Sequence, residues 1–232
     1  MTLNTTLLNT PPDSTRPTVV SDMEGTLSSG VTWKGMRDYL IQHGYEPQVK
    51  GFLRQNMLKG ILFRFGLVRD AITFQQNWMM GILHLFAGMS RDEFIEAVTW
   101  VVEHELWPNR RQDVIDELLA HQENGRRVVV ASGMFEPMLK VYVDKLGFEA
   151  IGTPVLFDGD LFSGRLVGEF NTGALKAEQV AAFLNESGQL YAAYGDTGAD
   201  IQMLSMAQHP TAVYPDNDLR AAAQQNGWRI IE

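Results

Sequence analysis

Three short runs of β-branched and apolar residues constrain this chain more than anything else in it: Thr18-Val19-Val20, Val128-Val129-Val130 and Leu190-Tyr191-Ala192-Ala193-Tyr194. Stiff β-branched side chains favour extended backbone. Runs this short, without polar alternation, suit strands covered on both faces. Weaker runs lie at Ala150 to Leu156, Thr211 to Tyr214 and Trp228 to Ile231. Between the runs stand segments with helical spacing, Gln112 to Asn124 closed by Gly125 and Met134 to Leu146 closed by Gly147. Glycine there accepts the left-handed backbone that ends a helix. Strands alternating with helices predict an α/β fold with right-handed crossovers and a mostly parallel sheet. Val155 to Val167, with the turn dipeptides Asp158-Gly159 and Ser163-Gly164, predicts a small antiparallel excursion.

The stretch from Val31 to Trp107 has helical periodicity and no convincing strand. Val49, Phe52, Leu53, Met57, Ile61 and Phe65 keep helical spacing and meet a stop at Gly66. Asp70 is placed to cap the next helix, with Phe74, Trp78, Met79, Ile82 and Phe86 on one face. Ser90-Arg91-Asp92-Glu93 is a capping box, in which Ser and Glu each satisfy a free backbone donor. The expected organisation is therefore a loose, polar tail over 1–17, a Rossmann-like α/β core from 18–30 and 108–232, and an inserted all-helical cap over 31–107. At 232 residues the chain is long enough for such a core plus insert.

Composition narrows the function classes. A formal charge of -9 argues against nucleic-acid binding, which relies on clustered Lys and Arg. The absence of cysteine excludes disulfides, thiolate catalysis and zinc–thiolate sites. The most apolar window, Trp78 to Met89, is about a dozen residues interrupted by His84, against roughly 20 for a transmembrane helix. The tail lacks the basic start and apolar run of a signal peptide. A cytoplasmic protein without stable membrane insertion is expected.

In open α/β sheets, ligands bind beyond the carboxyl ends of the strands. All three strong runs end in residues suited to phosphate chemistry: Ser21-Asp22-Met23-Glu24-Gly25-Thr26, Ala131-Ser132-Gly133 and Gly195-Asp196-Thr197-Gly198-Ala199-Asp200. Of two carboxylates separated by one residue, one can attack phosphorus while the other handles the proton; the same pair also suits a solvated turn. Ser132 and Gly133 offer a hydroxyl and amides near a helix start, where anions are favoured, and they suit a plain cap equally. Asp196 and Asp200 flank a glycine turn and can hold a hard cation or cap a helix. Lys176 can neutralise a carboxylate or phosphate, or be ordinary surface.

Together the four elements resemble, in order and spacing, the motifs of the haloacid dehalogenase superfamily, and from Arg127 to Trp228 the chain is similar to the subgroup around phosphoserine phosphatase. The resemblance implies a magnesium-dependent phosphatase that hydrolyses a small phosphate monoester through an aspartyl-phosphate. It implies Asp22 as nucleophile and metal ligand, and Glu24 as acid/base with its carbonyl on the metal. Asp196 and Asp200 would serve the metal, and Ser132, Lys176 and the amides of Met23 and Gly133 the phosphoryl group. Phosphotransfer to an alcohol uses the same intermediate. A phosphate-binding or regulatory protein is the non-catalytic alternative.

Two departures stand out. Glu24 occupies a position where the family usually has Asp, one methylene shorter. Phosphoserine phosphatases place an acid soon after the first motif to hold the substrate's amino group, and Ser28-Ser29-Gly30-Val31-Thr32-Trp33 contains none. A substrate other than phosphoserine is expected, with an apolar part if the helical block's aromatic residues line the roof of the site.

Overall fold

The computed structural model describes residues 16–65, 67, 71–184 and 189–232. Gly66 and Asp70, expected as a helix stop and a cap, and residues 1–15 of the expected tail lie outside these.

The three strong runs become β1 (Thr18–Ser21), β2 (Arg127–Phe135) and β6 (Leu190–Gly195). With β3 (Glu149–Thr153), β7 (His209–Val213) and β8 (Arg229–Ile231) they form one sheet of order β3-β2-β1-β6-β7-β8, every pairing parallel. The pleat sends alternate residues to opposite faces. Val19, Val128, Val130 and Ala192 join one apolar cluster, and Val20, Val129, Ala131 and Ala193 the other. The first face is covered by α5 (Gln112–Glu123) and α6 (Glu136–Asp144), the second by α7 (Gly173–Leu184), α8 (Ile201–Ser205) and α9 (Asn217–Asn226). Burial of both faces explains the continuous apolar runs. The order turns at β1, whose neighbours are β2 and β6, so a crevice opens where the first and last motif loops emerge.

Several local expectations need correction. The run Ala150 to Leu156 is not one strand: it breaks at Pro154 into β3 and β4 (Val155–Asp158), which belong to different sheets. Proline has no N–H for a ladder bond, which favours the break. β4 pairs antiparallel with β5 (Leu161–Leu166) around Asp158-Gly159, as expected. Ser163-Gly164, however, is no turn but lies inside β5, where Gly164 has φ 74 and a Cβ would stand 2.9 Å from Ala87 and His84. The helix expected from Met134 begins at Glu136, because β2 stays in the ladder until Phe135 pairs with Thr153; Pro137 then suits its first turn.

Between β1 and α5 the chain runs through α1 (Thr32–Gln42), α2 (Glu46–Arg64), α3 (Ala71–His84), α4 (Arg91–Val101) and a π-helical turn, Val102–Leu106. The capping box is formed: Ser90 Oγ accepts from Glu93 N, and Glu93 accepts from Ser90 N at 2.7 Å. Met36, Leu40, Phe86, Phe94 and Val101 join the cluster that also holds Val128, Phe135 and Leu139. One apolar core thus runs from the helical segment to the sheet. The β4–β5 hairpin anchors it: Phe162 N donates to Met89 O, Gly88 N donates to Phe162 O, and Phe94 stacks on Phe162 at 4.2 Å. Burial of each of these rings contributes about 1.5–3 kcal/mol.

The single face expected along α2 does not hold. Val49 is buried, and Phe52 and Leu53 pack against the core, but Met57, Ile61 and Phe65 are exposed. At 3.6 residues per turn, a series stepping by four precesses about 40° each time, so Phe65 points far from Val49. Phe86 lies beyond the end of α3, in the turn that follows. No described helix is long and apolar enough to cross a membrane.

Candidate active site

The loops after β1 and β6 meet at the crevice. Asp22 N donates to Tyr194 O at 2.9 Å, tying the start of one loop to the adjacent strand. Gly25 has φ 91, and a Cβ there would stand 1.9 Å from Asp196 Oδ2. Only glycine accepts both the backbone conformation and the close approach. Thr26 Oγ1 donates to Asp196 Oδ1 at 3.2 Å.

Asp22 is 5% exposed, and Lys176, in the first turn of α7, is 3% exposed. Lys176 Nζ donates to Asp22 Oδ1 at 2.6 Å and to Asp200 Oδ1 at 2.7 Å. Asp200 Oδ2 accepts from Thr197 N and Thr197 Oγ1, both at 3.1 Å, and from Asp196 N at 3.3 Å. Both oxygens of Asp200 are therefore engaged in holding the loop and the lysine. Asp22, Asp196 and Asp200 each offer an oxygen within 4.8 Å of the others.

Among the described residues, the Lys176 ammonium is the cation that serves this group of three carboxylates. Burial works against the charge of Lys176, but Asp22 and Asp200 outweigh it and hold the group firmly protonated. Asp22 is pushed up to about 6 by burial and Asp200, against the pull of Lys176. Asp196 is pushed up to about 8 by burial and by the neighbouring carboxylates. An all-oxygen set with more negative than positive charge fits a hard divalent cation such as magnesium, which would stabilise the ionised carboxylates.

Glu24 lies on the other side of the same loop. Thr32 Oγ1, at the start of α1, donates to Glu24 Oε2. Burial pushes the Glu24 carboxyl up to about 7, against the opposing hydrogen bonds from Thr32. Thr32 is itself buried, and α1 is positioned by Glu105, which accepts from Val31 N at 3.1 Å and pairs with Lys34.

Ser132 and Gly133 sit within the end of β2 rather than on the helix start, which comes three residues later at Glu136. Met134 N donates to Ser132 Oγ at 3.3 Å, and Asn171 Nδ2 donates to the carbonyls of Ser132 and Ile151. Thr153 Oγ1 donates to Gly133 O at 2.9 Å. Met23 is fully buried.

The structure thus brings Asp22, Lys176, Asp196 and Asp200 into direct contact or close proximity, with Glu24 two residues from Asp22. Sequence reading missed Thr32, Thr26, Asn171 and Glu105. Thr26 stood inside the motif loop and could have been found from its neighbours. Thr32 lies eight residues beyond Glu24, outside the motif loop and at no recognisable spacing, and the partners of Asn171 and Glu105 are remote in the chain. A separate groove of about 830 Å³ lies over β6–β8 beside α5, lined among others by Glu117, His121, Arg126, Tyr191 and Arg229. Arg229 already makes a two-point ion pair with Glu117, at 2.6 and 2.7 Å, and none of the motif residues reaches it.

The chain is similar to the solved structure of a protein of unknown function from Bordetella pertussis Tohama I, with a TM-score of 0.77, 18% identity, and 94% and 99% of the two chains covered. It is similar to phosphoserine phosphatase in its apo form, with a TM-score of 0.63, 18% identity, and 94% of each chain covered. In sequence it is 28% identical over 134 residues to "Phosphoserine phosphatase SerB1" of Mycobacterium tuberculosis (strain ATCC 25618 / H37Rv), covering 56% of this chain and 42% of that protein. The match thus spans less than half the length of that curated relative. The model of the haloacid dehalogenase-like hydrolases matches residues 19–205, which hold every motif loop described above. With the three motif-bearing strands and the acidic cluster falling in that span, the chain belongs to the haloacid dehalogenase-like hydrolase family.

Proposed function

We propose that the chain is a magnesium-dependent phosphohydrolase acting on a small phosphate monoester through a phosphorylated Asp22. The observation that carries this reading is the buried Asp22–Lys176–Asp200 bridge beside Asp196, with the Glu24 carboxyl, held by Thr32, two residues away. Mere phosphate binding needs no buried carboxylate held by a lysine.

In this reading an Asp22 oxygen attacks phosphorus and the bond to the leaving oxygen breaks. Glu24, whose carboxyl is pushed up to about 7, holds a proton near neutral pH and gives it to that oxygen. Thr32 Oγ1 holds Glu24 Oε2, so the side chain is oriented. Water then attacks the phospho-aspartate, losing its proton to Glu24, and inorganic phosphate leaves with Asp22 restored. Lys176, Ser132 and the amides of Met23 and Gly133 hold the phosphoryl oxygens.

Asp22, Asp196 and the carbonyl of Glu24 would hold the magnesium, with Asp200 orienting the Asp196 loop and Lys176. Bound there, magnesium supplies positive charge for the meeting of two anionic groups. Residues 31–107 act as the cap over the core of 18–30 and 108–232. Relatives bear the name phosphoserine phosphatase, but a different monoester is proposed here. The buried acid reaching the segment after the first motif, Glu105, is taken up by Val31 N and Lys34. Trp33 follows Thr32 and meets Trp78 edge-on at 5.8 Å, which supports a substrate with an apolar part.

The test is hydrolysis across a panel of phosphorylated metabolites and an aryl phosphate, with and without magnesium. Asp22→Asn should abolish turnover while circular dichroism stays that of the wild type. Normal turnover by a folded Asp22→Asn protein would refute the covalent route.

A further inference from the structure

The second half of α2 ends in an apolar surface that the packing of the described residues leaves exposed. Met57 is 60% exposed, Leu58 68%, Ile61 46%, Phe65 71% and, just beyond the helix, Leu67 67%. Isolated exposed apolar residues are ordinary, but a contiguous patch marks an interaction site. On a helical wheel Met57, Leu58, Ile61 and Phe65 fall within about 100° of one another, so they share one face. The opposite side of α2 is occupied: Val49 is buried, Phe52 meets Trp78 with ring centroids 5.1 Å apart, and Gly60 approaches Trp78. The patch is therefore the outward side of a helix already packed on its inner side.

Charge decides what kind of partner fits. The chain as a whole carries -9, yet Glu46–Arg64 contains four basic residues, Lys50, Arg54, Lys59 and Arg64, and one acid, Glu46. Lys50 and Arg54 project from the same face as the patch, two turns and one turn before it, and both are exposed, Lys50 in a solvent-facing pair with Glu46 at 2.8 Å. An apolar end followed by cations about 5–10 Å back along the helix matches the order met on entering a bilayer from its headgroups. Apolar side chains reach the acyl boundary while Lys and Arg remain among anionic headgroups.

We propose that the exposed end of α2 is a docking surface for an anionic lipid bilayer, bound peripherally and reversibly. The surface stands on its own geometry; it also gives the apolar-substrate reading of the site a source, since Trp78 lies between α2 and Trp33.

Sedimentation with vesicles of phosphatidylcholine alone, or with a third phosphatidylglycerol, tests this on the full chain without any catalytic readout. Binding to the mixed vesicles should weaken by about fivefold for each of Lys50→Gln and Arg54→Gln, and should fade as salt rises. A combined Met57→Ser, Leu58→Ser and Phe65→Ser protein should lose binding by more than about tenfold. Aryl phosphate hydrolysis, or circular dichroism if the chain proves inactive, should be unchanged in all of these. Absence of vesicle binding, or binding indifferent to these substitutions, overturns the proposal. So does sedimentation velocity showing a wild-type dimer that the triple variant dissolves without any vesicle binding, which would assign the patch to a second copy of the chain.

Discussion

Raising the pH of the metal-free protein should destabilise it, and magnesium should remove the effect. Three carboxyls at the crevice hold their protons more tightly in the folded protein than in a free chain: Asp22 rises from 3.8 to about 6, Glu24 from 4.5 to about 7 and Asp196 from 3.8 to about 8. Between the unfolded and folded values the native state binds more protons than the unfolded chain, so stability falls as pH rises. The window runs from about pH 4 to about pH 8. A tenfold difference in proton affinity between the two states corresponds to about 1.4 kcal/mol. The three carboxylates repel one another, and Asp196 and Glu24 keep some contact with solvent. Halving the independent value for those reasons leaves a loss on the order of 4 kcal/mol between pH 5 and pH 8. For a chain of this length that is a fall of about 8–16 °C in Tm. The assay is thermal denaturation in a chelator at half-unit pH steps, repeated with millimolar magnesium. Asp196→Asn should flatten the metal-free curve, because it removes the carboxyl that is raised furthest. A metal-free Tm that stays level or rises from pH 5 to pH 8 would refute the electrostatic account of the cluster.

Three further outcomes follow from the same contacts. Lys176→Met leaves Asp22 and Asp200 buried without their cation and should cost about 3–5 kcal/mol in metal-free urea denaturation; adding Asp22→Asn should recover part of it. Glu24→Gln should slow alkyl phosphate turnover by about 10²–10⁴-fold. With an aryl phosphate, rapid quench should show a burst and then a slow steady state, because only the hydrolysis of the phospho-aspartate still needs a base. Thr32→Val removes the donor to Glu24 and should lower kcat on alkyl phosphates about tenfold, less on aryl phosphates, with Thr32→Ser restoring most of it.

Much of this architecture is legible before any coordinates. Covered parallel strands leave β-branched runs, and the residues that follow such a run must emerge at its carboxyl edge, so Asp22, Ser132 and Asp196 could be placed together from spacing alone. The capping box at Ser90 and the stops at Gly125 and Gly147 are equally local, because each concerns a backbone group and a side chain within a few residues. Tertiary structure decided the rest. Lys176 reaches Asp22 across 154 positions in the chain, and its isolated appearance in sequence suits surface and site alike. Thr32 meets Glu24 only because the helical segment folds back onto the first motif loop. The division at Pro154 depends on which sheet each half joins, and the outward turn of Met57, Ile61 and Phe65 on which side of α2 the core occupies. Periodicity records that a residue recurs on a helix or strand, and the acids at the strand ends record where chemistry can occur. Which face is covered, and which remote partner meets each charge, is settled only when the elements pack, because those energies belong to pairs of residues that no local spacing connects.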